Sequence, residues 1–74
     1  MNSLTQLKIG ASGKVSSLAG DDEISIRLME MGIVPGVELT LIGKAPLGDP
    51  LEIELRGYRL SLRQTEAARI ELTN

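Results

Sequence analysis

Beyond Pro35-Gly36 the apolar residues of this chain fall at every second position, and that spacing decides most of what it can become. Val37, Leu39 and Leu41 alternate with Glu38 and Thr40; Leu51, Ile53 and Leu55 alternate with Glu52 and Glu54; Leu60 and Leu62 alternate with Arg59, Ser61 and Arg63. A period of two gathers the apolar side chains of a strand on one face, so three strands are predicted, each with one buried face. Gln64-Thr65-Glu66-Ala67 suits a single helical turn, after which Ala68, Ile70 and Leu72 alternate with Arg69 and Glu71 as a further short strand. Ahead of them, Leu4 to Leu18 carries Gly10 and Gly13, and its best strand runs from Gly13 to Leu18 with Val15 inward.

Between these strands AGDDEISIRLMEMGIVPG changes the period to 3.6. Ile24, Leu28 and Met31 recur at i, i+4 and i+7, Asp21 or Asp22 can cap the free N–H groups, and Glu23 and Arg27 form a favourable i, i+4 pair. Gly32 supplies the left-handed residue that ends the helix and Pro35 blocks its continuation. One amphipathic helix of about ten residues is expected. Ile26 and Met29 fall off the stripe and, with Ile33, are expected to widen the buried face under the barrel mouth or, if exposed beside Leu47, to form an apolar patch suited to a partner or to self-association.

The strand pattern also sets a register. A two-residue loop at Gly57-Tyr58, glycine first as a type II′ turn wants, pairs Leu55 with Leu60, Ile53 with Leu62, Glu52 with Arg63 and Arg56 with Arg59. A slip of one residue would pair leucine with arginine, so the pattern selects this register or one shifted by two. Arg56, Arg59 and Arg63 then share an outward face, either a solvated surface or a cationic patch for an acidic partner. Tyr58, at the hairpin tip, reads as a surface residue covering the barrel edge.

Five short strands and one helix, in a chain with no Phe or Trp and a single Tyr, enclose a small aliphatic core. Short strands bent at Gly10, Gly13, Gly43 and Gly57 curl more naturally into a closed barrel than into a flat sheet, and closure removes exposed edges. The expected fold is mainly β: a small five-stranded barrel with one short α-helix between strands 1 and 2, residues 1–74 forming a single domain.

Composition narrows function by exclusion. The 74 residues hold no Cys and no His, which removes disulfides, thiolate metal sites, imidazole bases and the serine-triad, cysteine-protease and zinc-finger chemistries built on them. The net charge of −2 lacks the basic footprint of a nucleic-acid binder. No apolar run approaches the roughly 20 residues that span a bilayer, and MNSLTQLKIG has no signal-peptide core, so a cytoplasmic domain without membrane insertion is expected. Asp21, Asp22 and Glu23 read as ordinary capping, and Glu52 and Glu54 as a wet strand face; neither a metal site nor a cofactor is expected.

KAPLGDP, residues 44–50, holds two of the three prolines. Pro46 suits a turn, Gly48 accepts positive φ, Asp49 can bond nearby backbone and Pro50 can begin a strand. Leu47 is left without a structural reason. A leucine held between such residues loses little entropy on entering a partner's pocket. Pro46, Leu47, Gly48 and Asp49, with Arg56, Tyr58, Arg59 and Arg63, are therefore the candidate partner-binding residues.

The ordered segments RLMEMGIVPGVEL, APLGDPLEIELRGYRLSLR and EAARIEL resemble the ferrous iron transport protein A (FeoA) family, over about Leu4 to Leu72. The most specific pieces are Met31-Gly32 with Pro35-Gly36, the run Ala45 to Pro50, and Arg56-Gly57-Tyr58-Arg59-Leu60 with Leu62-Arg63. The resemblance implies an SH3-like barrel and a non-enzymatic role in iron uptake, docking on a FeoB-type ferrous iron permease at its cytoplasmic G-protein region or its membrane part. A similar domain ends metal-dependent repressors of the diphtheria-toxin-repressor type, so a stand-alone regulatory domain of such a system is the alternative. A small enzyme lacks its catalytic residues. A weak homo-oligomer through an edge strand stays open.

Overall fold

In the computed structural model, which describes residues 2–73, six antiparallel strands form one sheet in the order β1-β6-β2-β3-β4-β5. These are β1 (Asn2–Ser3), β2 (Ser12–Leu18), β3 (Glu38–Lys44), β4 (Leu51–Leu55), β5 (Tyr58–Leu62) and β6 (Ile70–Thr73). Helix α1 (Glu23–Glu30) lies between β2 and β3, a 3-10 turn (Leu4–Gln6) follows β1, and the single turn α2 (Gln64–Ala67) joins β5 to β6. The five expected strands and the helix between the first two of them are thus present. The sixth, β1, is two residues long and too short to carry a period. The sheet does not close: β1 and β5 are its two edges.

Curvature comes from two bulges. Ser16 is an extra residue in β2 opposite β6, and Ile42 is an extra residue in β3 opposite β4. Each bends its strand and sharpens its twist, and together they coil the sheet around one apolar face. That face is wholly aliphatic. Val15, Val37, Leu39, Leu41, Leu51, Ile53, Leu55, Leu62, Ile70 and Leu72 are buried as the alternation predicts, and Leu28 and Ile33 reach in from α1 and its exit. Leu4 and Leu7 close the core from the 3-10 segment, which has no strand or helix period to announce it. Each fully buried side chain of this kind contributes about 1.5–3 kcal/mol relative to exposure.

Helix α1 has eight residues. Asp22 is its cap and accepts from Ser25 N–H at 3.4 Å. Leu28 is buried and Ile24 and Met31 are half-buried, as expected, but Ile26 and Met29 are exposed at 48% and 43%. The apolar stripe is narrower than expected because Ser25, not Ile26, occupies the buried flank, where its hydroxyl donates to Ala19 C=O at 2.8 Å. Ala68, expected to start the last strand, is exposed at the end of α2.

The β4–β5 register is shifted by two from the one drawn from a Gly57-Tyr58 loop. Leu55 pairs with Tyr58, Glu54 with Arg59, Ile53 with Leu60, Glu52 with Ser61 and Leu51 with Leu62. The loop is Arg56-Gly57, with φ of 50° and 86°, the two left-handed residues of a type I′ turn. The shift exchanges the Arg56–Arg59 opposition for Glu54 opposite Arg59, which removes a like-charge pair. It also sets Tyr58 opposite Leu55, where the ring stays at the surface, 41% exposed, and its hydroxyl donates to Met31 C=O at the end of α1.

Besides the Ser25 bond to Ala19, polar contacts fasten α1 along its length: Asp22 with Arg69 at its start, Arg27 with Glu66 at 2.8 Å in its middle, and Met31 with Tyr58 at its end. Gly32 belongs to the last of these. Its φ is +99°, and a Cβ there would lie 2.5 Å from the Tyr58 hydroxyl oxygen, with every other neighbour at 3.8 Å or beyond. Gly32→Ala should cost about 3 kcal/mol in denaturant titrations, roughly half from the left-handed backbone and the rest from collision with the hydroxyl. In a Tyr58→Phe background the same substitution should cost only about 1–2 kcal/mol, the backbone part; equal penalties in the two backgrounds would show that the hydroxyl is not what the glycine makes room for.

The Arg69 guanidinium bonded to Asp22, aided by the Ser25 N–H and the Arg69 charge, holds the Asp22 carboxyl below its ordinary range despite some desolvation. A carboxylate whose folded pKa is lowered stabilises the fold above its unfolded pKa and ceases to do so as pH falls through the folded value. The urea midpoint should therefore drop below about pH 4 more steeply in the wild type than in Asp22→Asn, which keeps a capping oxygen but cannot titrate. Parallel curves from pH 7 to 2 would remove Asp22 as the source.

Candidate partner-docking surfaces

The loop between β3 and β4 is built from its own turn chemistry and then tied down from a distance. Gly48 N–H donates to Ala45 C=O at 2.7 Å, closing a turn with Pro46 and Leu47 at its centre, and Ala45 N–H donates to Pro50 C=O at 3.0 Å. Gly48 has φ of 82°, and the Asp49–Pro50 peptide bond is cis. Asp49 does not bond its neighbours. Its Oδ1 accepts from Gln64 N–H at 3.1 Å, while Gln64 Nε2 donates to Gly48 C=O at 2.6 Å. The first residue of α2 thus holds both ends of a two-point clamp on the loop, a contact fifteen residues away in sequence that no local pattern signals.

Leu47 stands at the crest of this clamped turn, 95% exposed. A groove of about 290 Å³ runs beside the loop between Lys44, Pro50, Glu52 and Ser61. An apolar side chain displayed on a backbone fixed by four hydrogen bonds meets the condition for low-entropy insertion into a partner.

The eight candidate residues do not form one patch. Pro46, Leu47, Gly48 and Asp49 lie where β4 begins, with Arg63 beside them at the head of α2. Arg56, Tyr58 and Arg59 lie where β4 ends, roughly 13 Å away along the strand. The common outward face expected for Arg56, Arg59 and Arg63 is not found. Arg56 sits in the turn, Arg59 stands on the outer face of β5, and Arg63 has left the strand, its N–H donating to Glu66 Oε1 at 2.9 Å. The two ion pairs among the described residues involve neither these arginines nor their neighbours Glu52 and Glu54.

A second recess, of about 380 Å³, opens between Ile24 and Arg27 of α1 and Arg63, Thr65 and Glu66 at the α2 end. Glu66 is 9% exposed and bound by Arg27 and the Arg63 N–H, which makes it a structural carboxylate rather than a free acid. Sequence reading missed it because the capping pattern wants Ser, Thr, Asp or Asn at the position Arg63 occupies. Among the described residues no three acidic side chains converge in a way that could hold a metal ion.

Comparison with known proteins gives this geometry a setting. Residues 2–74 match the FeoA domain family. The chain is 35% identical over 69 residues to a Porphyromonas gingivalis Fe(2+) transport protein A/Fe(2+) transporter FeoB fusion protein, covering 93% of this chain and only 8% of that protein. A FeoA-like protein from Clostridium acetobutylicum superposes with a TM-score of 0.89 at 41% identity, over 96% of this chain and 83% of that one. A zinc-complexed Stenotrophomonas maltophilia FeoA, described as a procaryotic SH3 domain protein, superposes with a TM-score of 0.86 at 32% identity, over 99% and 91%. A manganese-dependent transcriptional repressor shares the fold alone, at 16% identity over 35% of its own length. The family match over nearly the whole chain and the SH3-like coiled sheet agree: this chain belongs to the FeoA family.

Proposed function

We propose that this domain is a non-enzymatic accessory protein of ferrous iron uptake that docks on the cytoplasmic part of a FeoB-type permease and regulates its transport. The observation that carries the reading is Leu47, 95% exposed on a turn clamped by Gln64. A leucine costs free energy when left in water, and here the backbone is organised to keep it there. The relative in which both proteins form one polypeptide supports the partner: covalent fusion raises effective concentration, which suits a contact too weak to persist between free chains. Pro46, Gly48 and Asp49 shape the turn, and Arg56, Arg59 and Arg63 add cationic contacts that steer the approach to an acidic surface. Tyr58, itself exposed, holds the hairpin against α1.

Leu47→Ala should leave the thermal midpoint unchanged, since the side chain has no packing to lose. Its dissociation constant for purified permease in lipid nanodiscs should rise roughly ten- to a hundredfold, the equivalent of burying one leucine. Titrations with and without guanine nucleotide would show whether the G-protein cycle is coupled to docking. Unaltered affinity in both states would overturn Leu47 as the anchor.

A further inference from the structure

We infer that the free edge of β5 is a second binding site, which takes an extended, acidic segment of a partner protein as an added strand. The tight Arg56-Gly57 turn makes Leu55 and Tyr58 a hydrogen-bonded pair, so Tyr58, Leu60 and Leu62 direct their N–H and C=O groups toward β4. Arg59 and Ser61 direct theirs the other way. Among the described residues nothing pairs with those four groups: β5 has β4 as its one neighbour, and no turn or loop hydrogen bond reaches Arg59 or Ser61. Both residues are exposed, so the unpaired groups face water. The other sheet edge, β1, is only two residues long and runs straight into a 3-10 turn. β5 is therefore the edge with room for a strand.

Charge selects the occupant. Arg56 stands at one end of this edge, Arg59 within it and Arg63 at the other end, each exposed and none in an ion pair among the described residues. A second copy of the chain offering its own β5 would bring arginine rows together, which disfavours self-pairing. An acidic strand reverses the sign at every one of these contacts. The recess of about 380 Å³ beyond the last strand position is lined by Ile24, Arg27, Arg63, Thr65 and Glu66; Glu66 already pairs with Arg27, so Arg63 is the cation left there for an acidic side chain. Backbone pairing gives such a site its affinity and the arginines its selectivity. The inference does not depend on which protein supplies the segment.

The test uses the ¹⁵N-labelled chain and a synthetic peptide of about seven alternating Glu and Thr residues. Saturating peptide should slow hydrogen exchange at the Arg59 and Ser61 amides about tenfold or more, with little change at Leu60. N-methylating the peptide amides on the edge-facing side should weaken binding about tenfold while leaving its charge intact. Arg59→Glu/Arg63→Glu should reject the peptide and accept the Lys-for-Glu version. Absence of binding at millimolar peptide, equal affinity of the N-methylated peptide, or protection of Arg59 and Ser61 without peptide at high protein concentration would each overturn the inference. The Leu47→Ala variant should bind this peptide normally, which separates the edge from the loop.

Discussion

A core without an aromatic ring governs this fold. Among the described residues every buried apolar side chain is Leu, Ile, Val or Ala, so no single one of them can fill a wide gap between sheet and helix. The walls have to come close instead. Bulges at Ser16 and Ile42 tighten the sheet, the 3-10 turn brings Leu4 and Leu7 in from one end, and Leu28 and Ile33 enter from the helix side. Close packing of this kind leaves α1 a narrow apolar stripe, and polar fastenings to Arg69, Glu66 and Tyr58 compensate for what the stripe lacks.

That economy explains which features the sequence announces. Alternation at Leu39–Leu41 and Leu51–Leu55 names the strands because burial alone dictates it, and the cap, stripe and terminating glycine name α1. Period-two alternation is blind to a shift of two, so the β4–β5 register depends on the turn. Arg56 at positive φ runs against the residue preference of a type I′ turn, and the glycine beside it fits a type II′ loop as well. Ile26 and Met29 look like core by composition; only Ser25's bond to Ala19 shows that the helix turns them outward. Leu4 and Leu7 sit in a segment with no period at all.

The candidate site divides along the same line. Local chemistry accounts for the Ala45–Gly48 turn and leaves Leu47 over, and the exposure of Leu47 agrees with that residue having no structural task. What fixes the loop in space is Gln64, a polar residue in a four-residue helix with no motif around it. Contacts across fifteen positions carry no sequence signature, since any of several polar residues could make them.

The register shift has a consequence for how a partner could engage both ends of the molecule. With Leu55 opposite Tyr58, β5 runs from the hairpin tip to the head of α2, where Gln64 grips the Leu47 loop. Arg56 and Arg59 therefore lie at one end of a single strand, and Arg63 and Leu47 at the other. The two patches, roughly 13 Å apart, are the two ends of a five-residue strand edge. The segment proposed for that edge would span the distance with its backbone and contribute pairing on the way. In the proposed reading the loop would supply an apolar anchor and the edge direction, with Arg56, Arg59 and Arg63 spaced along a line and not gathered on one face.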